Sequence, residues 1–297
     1  MGTAIPTTHP SSGGISGRVK RRDIQGLRAL AVALVVVYHC APQLLPGGYV
    51  GVDVFLVISG YLITAHLANE FYATGRVSLT RFYARRARRL LPAALLVLAV
   101  TVVASALLLP ESSRAEVARQ VVASAFYFEN WVLAFNATDY SAASANSSPV
   151  QHYWSLSVEE QFYALWPLAI LGAGALAARL SRSASVGLGA LLSVVASVSL
   201  LASALVTAYD PNFAYFFTPI RLWEFAVGGL AWFLFSARTW SAPTANALSW
   251  IGLGLIAAAT LSYDEGTPFP GLAAVLPVLG AALVLAGGET TGRVSTA

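Results

Sequence analysis

Arg28, His39 and Asp53 stand inside two apolar runs that fill residues 27 to 67. An ionisable group in hydrocarbon costs several kcal/mol unless it faces a polar cavity or a partner, so such residues mark a candidate functional site by default. Arg28 and His39 are eleven residues apart. On an α-helix this is about 16 Å of rise and close to three full turns, which places both on one face. The chemistry open to such a set is proton handling and charge stabilisation within the membrane.

Further polar residues fall at comparable depth. Glu159 and Glu160 lie about two turns into a later apolar run that starts near Trp154, as Asp53 does in the run that starts near Tyr49. Arg221 and Glu224, three apart, share a helical face and can form an internal ion pair. The stretch RFYARRARRL carries Arg85, Arg86, Arg88 and Arg89, so that pairs three apart align. Guanidinium forks suit phosphate oxygens, which makes this cluster a candidate phosphate site. Each feature has a plainer reading beside this one. Asp53, Glu160 and Arg28 can be snorkelling or interfacial residues, and His39 a helix-packing hydrogen bonder. Arg221 and Glu224 can be structural glue, and the arginine cluster a topology signal or a lipid headgroup contact.

These residues must be positioned by helices in a bilayer. With 57% hydrophobic and 11% charged residues over 297 positions, the chain is far more apolar than a soluble domain, in which about a quarter of residues are charged. The expected fold is an all-α polytopic membrane protein. Runs long enough to span about 30 Å of hydrocarbon fall near 27 to 45, 50 to 68, 89 to 109, 154 to 178, 186 to 208, 216 to 236, 248 to 263 and 272 to 288, eight in all. Residues 117 to 135 form a weaker candidate. Basic residues mark cytoplasmic loops, and Arg18, Lys20, Arg21, Arg22 and the arginines from 76 to 89 place the N-terminus inside. Arg179, Arg182, Arg238 and Arg293 fall inside as well only if 110 to 153 is a single external excursion. The predicted bundle therefore has about eight crossings plus one interfacial or re-entrant helix at 117 to 135. It spans residues 23–297 behind a flexible cytoplasmic tail, 1–22, in the plasma membrane.

The net charge of +4 is a topology signal here and gives no reason to expect nucleic acid. The single cysteine, Cys40, excludes an internal disulfide and any multi-cysteine metal site, and no metal is expected. It neighbours His39, but adjacent helix residues diverge by about 100°, so Cys40 is assigned to packing.

Five stretches in order now bear on function. They are a basic residue with ten residues between it and a histidine (Arg28 and His39), GVDVFLVISGYLI at 51 to 63, FYARRARRLLP at 82 to 92, WSLSVEEQFYALWP at 154 to 167 and FFTPIRLWEFAVGGL at 216 to 230. With these the chain resembles the membrane acyltransferase-3 family, which includes bacterial O-antigen and peptidoglycan O-acetyltransferases. Their form is that of the branch in which an extracellular SGNH-type domain follows the membrane domain. The family's last helices, its late Ser-Tyr-Ser-Leu-Tyr-like and Trp-His-Trp-Pro-like motifs and any SGNH domain have no counterpart before residue 297, so a shortened chain is expected.

The resemblance implies transfer of an acyl group, acetyl in the first instance, from cytoplasmic acetyl-CoA to a hydroxyl of an extracytoplasmic glycan or related acceptor. CoA would be a donor substrate, with no permanently bound cofactor. Arg85, Arg86, Arg88 and Arg89 would hold its phosphates, and Arg28 would lie on the path to His39. His39 would act as general base or as transient acyl carrier, its ring oriented by Asp53 or Glu159. The rival class is a transporter or flippase of a lipid-linked glycan that uses the same buried charges as a proton relay.

Overall fold

In a computed structural model the described residues are 21–137 and 148–288. The tail up to residue 20 and the terminal Arg293 lie outside them. Eleven α-helices and two short 3₁₀ turns make up the described chain, with no strand among these residues. The expected all-helical polytopic membrane fold is what forms.

Helix α1 (Arg22–Cys40) ends five residues before the expected boundary. Pro42 is the reason, because the residue before a proline is pushed out of the helical region, and Ala41 has φ −151° and ψ 71°. His39 therefore sits in the last turn of α1, not well inside a longer span. The tail expected over 1–22 also needs correction at its end. Arg22 already belongs to α1, and Arg21 is tied down by its own ion pair with Asp23, by Tyr61 Oη at 2.6 Å and by the Leu285 carbonyl at 2.9 Å.

A 3₁₀ turn, Gly48–Val50, leads into α2 (Gly51–Thr74). Gly75 ends α2 in the left-handed conformation, φ 68°, and returns its amide to the Phe71 carbonyl, a glycine-specific stop. Since Arg21 meets Tyr61, α2 runs on for about 20 Å past the start of α1. Helix α3 (Leu79–Leu108) is followed by α4 (Glu111–Ala125) and α5 (Glu129–Ala137). The expected single helix at 117 to 135 is thus two, broken at Tyr127, whose φ is 60°, and neither is long enough to cross.

Next come α6 (Tyr153–Arg179), α7 (Ala184–Tyr209) and the single-turn α8 (Pro211–Phe216), which Asp210 caps through the Phe213 amide. After the 3₁₀ turn Thr218–Ile220 come α9 (Leu222–Phe235), α10 (Ala242–Ser262) and α11 (Val275–Gly288).

Among the described residues six helices are long and apolar enough to cross a membrane: α1, α2 with its preceding turn, α3, α6, α7 and α10. The other two expected spans shorten to 14 residues each, α9 and α11. Proline accounts for both. Pro219 confines the entry to α9 to a 3₁₀ turn, and the chain around Pro270 stays in turns until Val275. Irregular backbone at membrane depth is tolerated where protein surrounds it, and Thr218, Ile220 and Arg221 are all buried.

Helices α2 and α9 form the centre. They touch backbone to backbone, since a Cβ on Gly60 would lie 2.0 Å from the Phe225 carbonyl oxygen and one on Gly228 would lie 2.0 Å from that of Val57. Small residues permit such contact between membrane helices, where dispersion and hydrogen bonding replace the hydrophobic effect. Phe162 of α6 stacks on Phe225, with ring centroids 4.0 Å apart. Helix α3 lies at the edge, burying only Phe82, Leu98 and Ser105. It is held to α6 by polar clasps, Tyr83 Oη to the Ala164 carbonyl at 2.7 Å and Tyr153 Oη to the Ala94 carbonyl at 2.8 Å.

The same central crossing holds Arg221, Asp53 and Glu224, none with any exposed surface. Arg221 Nη2 donates to Asp53 Oδ1 at 2.9 Å, and its Nε lies 3.1 Å from Glu224 Oε1. The expected Arg221–Glu224 pair is present and Asp53 joins it from α2. Rings of Trp154, Tyr215 and Phe269 stand 5.7 to 5.9 Å from the guanidinium. Removing one member of a buried ion pair strands the other charge, at a cost of about 3–5 kcal/mol. Arg221→Ala is accordingly expected to destabilise the protein by about that amount, read as a lowered unfolding midpoint in lipid nanodiscs; an unchanged midpoint would remove the triad from the stability account.

Glu129, at the start of α5 and outside the spanning helices, is fully buried, and neither carboxyl oxygen accepts a hydrogen bond. Burial, reinforced by the charge of Glu116 and partly offset by Arg119, pushes its pKa from 4.5 up to about 8. The folded chain then binds a proton that the unfolded chain has released between those values, so this contribution to stability falls as pH rises from about 4.5 to about 8. Glu129→Gln should match the parent's thermal midpoint at pH 4.5 and exceed it at pH 8.

Candidate active site

A cavity of about 700 Å³ opens between α1, α2, α3 and α6. On α2 its lining runs from Val52 to His66, about 21 Å along the helix axis. Arg85, Arg86 and Arg89 face it from α3 and Arg28 from α1. Positions 85, 86 and 89 fall within a 100° arc of a helix, with 88 beyond it. Arg88 is turned away, exposed, with its Nε on the Ala84 carbonyl of its own helix at 3.2 Å. The expected four-arginine set is therefore three on α3 plus Arg28.

Arg86 is the most constrained of these. Its Nη2 donates to Glu160 Oε1 at 2.8 Å, and its guanidinium carbon sits 3.3 Å from the Tyr163 ring centroid. Glu160 thus holds an arginine in place at the cavity wall. Glu159, one residue earlier, faces the cavity and accepts from Ser59 Oγ at 2.8 Å. Arg85 Nη2 donates to His66 Nε2 at 2.9 Å; since a guanidinium only donates, that imidazole nitrogen is the acceptor and carries no proton. The result is a cavity that is cationic around Arg85, Arg86 and Arg89 and carries a carboxylate, Glu159, on α6.

His39 stands apart from this cavity, exposed at the opposite end of α1 from Arg22. Its Nδ1 lies 2.8 Å from the Val35 carbonyl oxygen. A carbonyl only accepts, so Nδ1 carries the proton and Nε2 keeps its lone pair in the neutral ring. That is the tautomer a general base needs. The ring is oriented by backbone, whereas a carboxylate was expected. Asp53 is committed to Arg221 and Glu159 to Ser59, and neither carboxylate is paired with His39 among the described interactions. Tyr38 packs edge-on against the His39 ring at 5.3 Å.

The structure therefore gathers Arg28, Arg85, Arg86, Arg89 and Glu159 around one cavity, with Glu160 behind its wall. Arg88 points elsewhere, His39 lies beyond the rim, and Asp53, Arg221 and Glu224 form a separate buried network. Sequence reasoning missed Ser59, His66 and Tyr163. Tyr163 stands three residues after Glu160 on α6, a spacing that signals a shared face. Ser59 and His66, two turns apart on α2, had no comparable signal because each stands singly among apolar neighbours.

The model of an acyltransferase domain family, acyltransferase-3, matches residues 21–292. The O-acetyltransferase OatA of Staphylococcus aureus (strain NCTC 8325 / PS 47) is 43% identical over 147 residues, and the peptidoglycan O-acetyltransferase OatA of Listeria monocytogenes serovar 1/2a is 40% identical over 149. Each alignment takes in 50% of this chain and 24% of the relative, so the chain matches about a quarter of the length of these relatives. No solved structure matches at a significant level. With the family model covering nearly all of the bundle and its cavity, the chain belongs to the acyltransferase-3 family of acyltransferase domains.

Proposed function

We propose that this domain is an O-acetyltransferase that moves an acetyl group from cytoplasmic acetyl-CoA to a hydroxyl of an extracytoplasmic glycan. The observation that carries this reading is the elongated cavity with Arg85, Arg86 and Arg89 at one end and the His39 helix terminus beyond the other. Guanidinium groups pair with phosphate oxygens, and CoA presents a phosphorylated nucleotide on a long, uncharged arm that ends in the thioester. With the phosphates among these arginines, the arm would follow the cavity past Arg28 and Glu159 towards Val52 and Ser155. The positive-inside rule supports the orientation, because Arg22 and the arginines from 76 to 89 belong to the same end of the bundle. The relatives named as O-acetyltransferases support the group transferred.

In the reaction His39 Nε2 takes the proton of the acceptor hydroxyl as its oxygen attacks the thioester carbonyl. Collapse of the tetrahedral adduct breaks the carbon–sulfur bond, the ester remains on the acceptor, and the departing CoA thiolate takes up the proton that the His39 imidazolium gives back, leaving free thiol and neutral His39. The Val35 carbonyl keeps the tautomer and steadies the imidazolium that forms. Arg28, between the cluster and this end, is placed to offset negative charge on the adduct.

His39→Ala should insert normally and lose transfer by at least about 10²-fold, the usual worth of a general base, measured as acetyl-CoA-dependent labelling of acceptor with release of free thiol. Transfer that persists would exclude His39, and glycan flux without thiol release would favour a transporter. Arg89→Gln, which leaves the Arg86–Glu160 pair intact, should raise KM for acetyl-CoA about tenfold, the worth of a charge-assisted hydrogen bond. An unchanged KM would return Arg89 to a topology role.

A further inference from the structure

One residue before His39 on α1, the α1–α2 and α10–α11 loops border a second hollow of about 350 Å³. This is at the low end of volumes that small ligands fill. One wall is Tyr38, Pro42, Gln43 and Pro46, and the other is Asp264, Glu265 and Gly266. The two loops are pinned to each other. The Gly47 amide donates to the Thr260 carbonyl at 3.2 Å, Tyr49 Oη donates to the Asp264 carbonyl at 3.2 Å, and the Tyr49 ring packs on Phe269 at 4.9 Å. A Cβ on Gly47 would lie 2.7 Å from the Ala259 and Thr260 carbonyl oxygens, so no other residue allows this approach. The groove is therefore built in advance of any ligand.

Resting on the acetyl-transfer reading above, we infer that this groove is the acceptor subsite and that it takes an uncharged sugar unit of the glycan. Asp264 uses Oδ1 to close its own turn, accepting from the Gly266 amide and Thr267 Oγ1, which leaves Oδ2 for a ligand hydroxyl. Glu265 and Gln43 are exposed. The first accepts hydrogen bonds and the second both donates and accepts them. Tyr38 and the two prolines offer the apolar surface that the C–H face of a pyranose covers. No lysine, arginine or histidine lines the groove among the described residues, and two carboxylates repel phosphate or carboxylate groups, so a polyanionic glycan is disfavoured. Tyr38 belongs to both places, lining the groove and meeting the His39 ring edge-on at 5.3 Å. A sugar held there lies one residue along α1 from the proposed base, with the Tyr38 ring between the groove and the His39 ring.

The test is binding of chitotetraose to the full chain in lipid nanodiscs without acyl donor, followed by saturation-transfer NMR, with an oligomer of glycerol phosphate as the charged comparison. Chitotetraose should bind the parent and His39→Ala alike. The double substitution Gln43→Ala with Glu265→Gln, or Glu265→Arg alone if the first folds poorly, should weaken it at least tenfold, and glycerol phosphate should not bind. Equal binding by the substituted proteins, preference for glycerol phosphate, or no sugar binding by the parent would each overturn the assignment. Because no acyl donor is present, these outcomes are separate from those that bear on acetyl transfer, which thiol release reports.

Discussion

Arg221, held between Asp53 and Glu224 with no exposed surface, sets the geometry on which the rest of the bundle depends. In a bilayer the apolar effect does not distinguish one helix pairing from another, so register has to come from close packing and from polar groups with few partners. The ion triad joins α2 to the entry of α9 at one level, and the Gly60 and Gly228 contacts bring their backbones together below it. A shift of α9 by one turn would bury the guanidinium away from Asp53 and place side chains where only hydrogen fits. That coupling explains why a 14-residue helix can sit at the centre of a membrane domain.

With α2 locked on one side, its other faces position the cavity. Ser59 and His66 project towards α3 and α6 while Asp53 projects towards α9. Helix α3 contributes little packing of its own and is held by polar clasps to α6 and by the Arg86–Glu160 pair. A wall attached in this way leaves a cavity beside it, because few apolar contacts pull the two helices into full contact. The arginine that seals this wall is also the one whose charge is already matched, by Glu160.

The two ends of the site differ in construction. Around the arginine cluster, long side chains project from helices into an open cavity. Around His39 the features come from loops, Pro42 ending α1, Gly47 allowing the loop contact and Asp264 closing a turn. The histidine is oriented by its own helix through the Val35 carbonyl, so its tautomer does not depend on any other segment. In the proposed reading the base is thus a local feature and the donor cavity a tertiary one.

Much of this architecture is legible in the amino-acid sequence. The apolar runs dictate an all-helical membrane fold, since each backbone polar group in hydrocarbon has to be satisfied within its own segment, and residue spacing puts Arg28 and His39 on one face. Other features are hidden there because they depend on contacts far apart in the chain. Asp53 is committed to Arg221, 168 residues away, and that pairing removes it from the neighbourhood of His39. Helical geometry already sets Arg88 on a different arc from Arg85, Arg86 and Arg89, but which arc faces a cavity is decided only once α3 has docked on α6. The groove beside Tyr38 requires Gly47 and Thr260 to meet, whereas the depth of His39 is a local matter, set where Pro42 ends α1. Periodicity and hydropathy are properties of single segments and determine what each helix is; which charge meets which, and where a cavity remains, is decided by packing between segments.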